Sequence, residues 1–231
     1  MADRFYTADP LGPGEVFLDG SEAHHLATVR RIRPGDEVVL FNGDGNEYPA
    51  VVVAAGKKSV VLTVLAARAA DRELPFPLVV ASALPKGDRA DFLVEKLTEL
   101  GATRFVPLVA ERSVVVPKAA TAEKFRRAVV EASKQCGRNR LMAVDEPRDW
   151  KEFLALPDLP VTRFVLHTTD VPDRPVRSDA GVVVAVGPEG GFTPHEVEAA
   201  VAAGWRVATL GPRVLRVETA ALAAAATLAG Q

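Results

Sequence analysis

The sequence predicts an α/β chain: a small N-terminal β domain followed by a larger domain with a mainly parallel sheet. Three observations carry this. Residues 14–66 hold short apolar or β-branched stretches separated by turn residues, and from residue 78 onward apolar strand patterns alternate with helical ones. Between them, Ala66 to Pro77 loses apolar periodicity and contains Asp71, Arg72, Glu73, Pro75 and Pro77, which suits a domain boundary. We place it near residue 72, dividing the chain into 1–72 and 73–231.

Taken in order, the β domain offers strands at Val38 to Phe41, Ala50 to Ala54 and Ser59 to Leu65. The first two flank Asn42-Gly43-Asp44-Gly45-Asn46, whose residues tolerate positive φ, so the two form a hairpin. In the larger domain the Leu78 to Ala83 strand leads into a helix from about Asp88, with Phe92, Leu93, Leu97 and Leu100 as its apolar residues and Gly101 as its stop. A strand near Phe105 to Val109 precedes a helix from about Thr121, in which Phe125, Ala128, Val129, Ala132 and Cys136 keep helical spacing. Strands at Arg163 to His167, Val182 to Val186 and Val207 to Leu210 follow, the last two each leading into a helix.

Composition narrows the function classes. With 231 residues, 48% of them hydrophobic, the chain can build one sizeable core or two unequal ones. The net charge of −2 excludes a domain that coats nucleic acid by bulk electrostatics, so any RNA contact must use local patches. Such patches exist: Arg30, Arg31 and Arg33, and a longer one from Pro117 to Leu141 that includes Lys134 and Arg138. A basic helix face is more often merely solvated. The single cysteine, Cys136, has no internal disulfide partner, and residues 1–10 lack a secretory pattern, so a cytoplasmic location is expected. The apolar runs are too short to suggest a membrane span.

Ligands of open parallel sheets bind beyond the carboxyl ends of the strands, which directs attention to three loops. They are His167-Thr168-Thr169-Asp170, Gly187-Pro188-Glu189-Gly190-Gly191-Phe192 and Gly211-Pro212-Arg213-Val214-Leu215-Arg216. The second runs into Thr193-Pro194-His195-Glu196, a capping box with proline at the first helical position, so the loop is short and stiff. A plain strand-to-helix turn would use the same glycines. Neither phosphate fingerprint is present, and Glu189 would repel a phosphate, so a ligand carrying adenosine and a cationic group is the better electrostatic match. The alanine-rich last helix suits close packing, either within the chain or on a second subunit. Arg216 and Glu218 at its start also read as a simple surface pair.

The second and third loops, with Leu210 before and Val217-Glu218-Thr219-Ala220 after the third, resemble the cofactor loops of the RsmE family of 16S rRNA uridine-N3 methyltransferases. Further matches span nearly the whole chain: Arg4-Phe5-Tyr6, His24-His25-Leu26 with Arg31, Lys86-Gly87-Asp88-Arg89, Glu95 to Gly101, Glu111-Arg112-Ser113 and Glu131 to Arg138. Val214 and Val217 stand where the family commonly has isoleucine and threonine, and Lys134 where it has a polar residue.

The resemblance implies a PUA-like β-barrel at the N-terminus, a C-terminal SPOUT domain with a trefoil knot that binds S-adenosylmethionine, and a homodimer. It implies methylation of a decoding-region uridine of 16S rRNA within the small ribosomal subunit, with no metal. On that basis His167, Gly187, Pro188, Glu189, Gly190, Gly191, Leu210, Gly211, Val214, Leu215, Thr219 and Ala220 are expected to hold the cofactor. Arg216 is expected to stabilise the uridine anion, and Glu218 to act as a base or orienting group. Arg4, His24, Arg31, Lys86, Arg112, Lys134 and Arg138 are the expected RNA contacts. Rival readings are an RNA-binding protein without chemistry and a sister SPOUT enzyme acting on tRNA or on a ribose oxygen.

Overall fold

The structure, a computed structural model, describes residues 3–30, 32–56, 59–168 and 173–231. The chain forms two compact units, one of residues 1–73 with 133–141 and the other of residues 74–132 with 142–231. No described helix is long and apolar enough to cross a membrane.

The first unit contains β1 (Asp3–Tyr6), β2 (Gly14–Asp19), α1 (Gly20–His24), β3 (Glu37–Phe41), β4 (Asn46–Ala55), β5 (Ser59–Val64) and the short β6 (Arg68–Ala69). Its strands run β1-β3-β4-β5-β2, with β6 on β4 and β1 parallel to β3. The β3–β4 hairpin turns through Asn42–Gly45, where Gly43 and Gly45 take φ of 92° and 101°. Asn42 Oδ1 accepts from Asp44 N–H and Asp44 Oδ1 from Asn46 N–H, so the Asn/Asp side chains themselves build the turn. Alternation along β4 buries Tyr48, Ala50 and Val52 against Phe5, Leu40 and Leu62.

A buried polar lattice completes this unit. Arg4 donates to Glu47 (2.6 Å) and to Asn139, while Arg72 donates to Glu47 (2.7 Å) and to the Gly137 carbonyl. Arg138 grips Glu73 through Nε and Nη2, and Lys134 reaches Glu22 at 2.8 Å. Burial raises the Glu47 carboxyl, but the guanidinium hydrogen bonds of Arg72 and Arg4 outweigh it and hold the group below its ordinary value. A carboxyl whose folded value is depressed adds stability that is present above its unfolded value of 4.5 and lost as pH falls through the folded one. The urea midpoint of the wild type should therefore drop more steeply from pH 5 to pH 3 than that of Glu47→Gln. Parallel curves would show that Glu47 carries none of the acid sensitivity.

The second unit contains β7 (Leu78–Ala83), α2 (Arg89–Glu99), β8 (Arg104–Val109), α3 (Ala119–Cys136, whose last turn is counted with the first unit), β9 (Ala143–Val144), β10 (Arg148–Asp149) and α4 (Trp150–Leu154). After these come β11 (Thr162–Leu166), β12 (Val182–Val186), α5 (Pro194–Ala202), β13 (Arg206–Ala208) and α6 (Val217–Ala229). The sheet order is β10-β8-β7-β12-β11-β13, with β9 also on β8, and all pairings are parallel. β7 and β12 are buried along their whole length, as expected of central strands covered on both faces. One side of the sheet packs on an aromatic cluster of Trp150, Phe153, Phe192 and Trp205. In α2, Leu93 and Leu97 are buried as their spacing predicts, whereas Phe92 is 47% exposed.

Candidate active site

The loop after β12 is held from beneath. Phe192 stacks on Trp150 with centroids 4.3 Å apart. A Cβ on Gly187 would lie 3.0 Å from both the Phe192 ring and its backbone nitrogen, so glycine is required there by close approach. The turn closes through Gly191 N–H to the Pro188 carbonyl at 2.7 Å, with Gly191 at φ 68°. Thr193 and Glu196 form the capping box that starts α5. The buried Glu196 carboxylate also accepts from the Glu111 backbone N–H at 2.8 Å, and its carbonyl accepts from Trp150 Nε1.

The loop after β13 is shaped by Thr209, whose hydroxyl oxygen accepts from Gly211 N–H, and by Gly211 at φ 120°. Arg216 precedes α6 in extended conformation and serves as its N-cap residue without a side-chain cap bond. Between the two loops and α6 lies a cleft at the carboxyl ends of β11, β12 and β13.

Ten of the residues expected to hold a cofactor line this cleft: His167, Gly187, Pro188, Glu189, Gly191, Leu210, Gly211, Val214, Leu215 and Ala220. Gly190 belongs to the same loop but carries the Arg112 side chain across it. Thr219 lies elsewhere, in a groove between α2 and α6 with Phe92, Leu222 and Ala226. Sequence reasoning left Leu166, Thr168, Val186, Thr209, Arg213 and Val217 out of the cofactor set, and they also line the cleft. Arg213 carried a signal, its place between Gly211 and Arg216, whereas Val217 faces the cleft only because of where α6 turns.

The expected catalytic pair divides. Arg216 is exposed and forms no ion pair with a described residue. Glu218 is 8% exposed and lines the α2–α6 groove instead of the cleft; its Oε1 accepts from Arg89 Nη1 at 3.1 Å and its Oε2 is buried without a hydrogen bond. One step along a helix rotates a side chain by about 100°, which separates Val217 from Glu218. In this structure the Glu218 carboxylate joins α6 to α2 through Arg89.

Three expected RNA contacts are largely buried. Arg4, Lys134 and Arg138 have side chains only 6%, 8% and 4% exposed, each held by a carboxylate of the first unit. Lys86 and His24 are exposed, the His24 ring lying 3.4 Å from the Thr28 hydroxyl. Arg31, Thr169 and Asp170 fall outside the described residues.

The RNA methyltransferase domain family matches residues 72–229, and the RNA methyltransferase PUA domain family matches residues 18–65. Ribosomal RNA small subunit methyltransferase E of Mycobacterium tuberculosis is 35% identical, over 97% of this chain and 90% of that protein. This chain belongs to the ribosomal RNA small subunit methyltransferase E family. The Bacillus subtilis member is 31% identical over 93% of this chain and 89% of its own length. A crystal structure of the Neisseria gonorrhoeae methyltransferase E, bound to S-adenosyl methionine, superposes with a TM-score of 0.87 at 32% identity. The match covers 98% of this chain and 96% of that one. Membership in the methyltransferase E family accounts for an N-terminal PUA domain joined to a parallel-sheet domain in one chain.

Proposed function

We propose that this chain methylates N3 of a uridine in 16S ribosomal RNA, with S-adenosylmethionine as methyl donor. The observation that carries the reading is the cleft itself: in a member of the methyltransferase E family, two glycine loops and α6 line a cleft at the carboxyl edge of a parallel sheet. The residues present fit the donor. Leu166, Val186, Leu210 and Leu215 offer apolar walls for an adenine ring, Glu189 a carboxylate for the cationic end, and Arg213 a guanidinium for a carboxylate. When bound, S-adenosylmethionine supplies an electrophilic methyl group.

The protein's own task is to orient the uridine and to favour loss of its N3 proton. Negative charge then spreads over the ring carbonyls, and a fixed cation beside them lowers the barrier. Arg216, exposed at the start of α6, fills that role in our reading. With Glu218 paired to Arg89, the proton acceptor is sought elsewhere than on α6. Lys86 and His24 carry the proposed RNA contacts, as positioning groups for backbone phosphate. The first domain, 1–72, is read as the RNA-binding module and 73–231 as the methyltransferase, with the trefoil knot implied by the resemblance. A homodimer is part of the same reading, supported by the exposed Phe92 beside Leu222 and Ala226 in the open α2–α6 groove. The cytoplasm, where small subunits are assembled, is its proposed place of action.

The deciding assay is transfer of labelled methyl from S-adenosylmethionine to small subunits lacking the modification, with the product nucleoside identified by mass spectrometry. 3-Methyluridine is the expected product. Cofactor binding without transfer to any ribosomal RNA would sink the assignment, and a 2′-O-methylated product would move the chain to the ribose-methylating class.

A further inference from the structure

We propose that Arg112 is a positioning residue for the cofactor loop and not an RNA contact, an inference that rests on reading the cleft as the S-adenosylmethionine site. β8 ends at Val109 in a stiff turn: Ser113 N–H donates to the Ala110 carbonyl at 3.0 Å, and Ser113 Oγ accepts from Ala110 N–H at 2.9 Å. The turn holds the loop after β12 at two points. Glu111 N–H donates to Glu196 Oε1 at 2.8 Å, fixing the loop where it enters α5. Arg112 Nη1 donates to the Gly190 carbonyl at 2.8 Å, fixing its outer edge.

Gly190 reveals what this contact demands. It is absent from the positive-φ glycines, so its backbone would accept a side chain. A Cβ there would lie 3.2 Å from Arg112 Cδ and 3.3 Å from Arg112 Cβ, and no other residue supplies its three nearest neighbours. The missing side chain at Gly190 makes room for the Arg112 stem, and the guanidinium then reaches the carbonyl. A charged donor on a carbonyl is among the stronger hydrogen bonds, and the planar Arg group delivers it with fixed direction. Gly187 and Gly191 in the same loop line the cleft, so holding Gly190 holds them. A loop fixed before the ligand arrives loses less freedom on binding it.

The test is titration of the full-length protein with S-adenosylmethionine by calorimetry, for wild type, Arg112→Ala, Gly190→Ala and the double variant. A parallel measurement follows the salt dependence of binding to the 16S RNA fragment. Gly190→Ala keeps every charge and removes only the seat of Arg112. Each single variant is expected to weaken cofactor binding about tenfold, and the double variant by clearly less than their product. Hydrogen exchange at Gly190 and Gly191 in the cofactor-free protein should quicken in each, while the melting temperature stays close to wild type. The salt slope of RNA binding should not change in Arg112→Ala. Wild-type cofactor affinity in both single variants overturns the proposal, as does a salt slope flattened by about one charge in Arg112→Ala with its cofactor affinity intact. If the wild type itself binds no S-adenosylmethionine, the reading of the cleft falls first and this inference with it.

Discussion

Replacing Arg216 by alanine should slow methyl transfer by about 100- to 1,000-fold, the usual loss when one preorganised electrostatic group is removed from an active site. Cofactor affinity should change little, because Arg216 is absent from the cleft lining and makes no side-chain cap bond with α6. RNA affinity should fall only modestly, since one exposed cation among many contacts carries little of the total. Glu218→Gln provides the contrast. If that carboxylate removed the N3 proton, the amide would cost as much as Arg216→Ala. Bound to Arg89 and set in the α2–α6 groove, it should instead leave turnover within about tenfold, the amide oxygen still accepting from Arg89. Single-turnover rates at saturating cofactor separate the cases, and equal losses at both positions would restore Glu218 to the chemistry.

Phe192→Ala should destabilise the protein by about 3–5 kcal/mol, the range for emptying a buried aromatic site. Phe192 is 2% exposed and stacks on Trp150. Phe153→Ala, fully buried in the same cluster, should cost a similar amount. Only the Phe192 variant should lose cofactor affinity as well, because its ring lies directly under Gly187, whereas Phe153 is not among the nearest neighbours of Gly187, Gly190 or Gly191. Urea unfolding gives the first quantity and calorimetric titration the second. Equal cofactor affinities in the two variants would mean that the loop holds its shape without the ring beneath it.

The parts of the fold legible in the sequence are those governed by neighbours in the chain. The apolar runs at Leu78–Ala83 and Val182–Val186 are strands with those bounds, because buried parallel strands need unbroken apolar residues. Thr193 to Glu196 announced its capping box, and Asn42 to Asn46 its hairpin turn, for equally local reasons. What was not legible depends on residues far apart in sequence. Lys134 and Arg138 look like part of a basic patch, and Arg4 like an RNA contact, until Glu22, Glu73 and Glu47 are placed beside them, at separations of 112, 65 and 43 residues. In the same way, a motif places Arg216, Glu218 and Thr219 together, while the structure puts Glu218 and Thr219 in the α2–α6 groove and leaves Arg216 outside it, before the helix begins. The placement of Glu196 under two loops at once was half visible: its capping role was local, its bond to Glu111 was not.

The return of residues 133–141 to the first unit sets a schedule for the chain as it is made. Arg4 and Glu47 leave the ribosome early, but Asn139, which completes the surroundings of Arg4, follows only after all of α3 has been synthesised. At about 5–20 residues per second, the strands of the first unit wait several seconds for this last segment. During that interval, Glu73 lacks Arg138 and Glu22 lacks Lys134, so the nascent first unit holds carboxylates whose partners do not yet exist. An N-terminal fragment ending at residue 73 lacks Lys134, Arg138 and Asn139 altogether. The earliest strands to be translated are thus sealed only after α3 has been made.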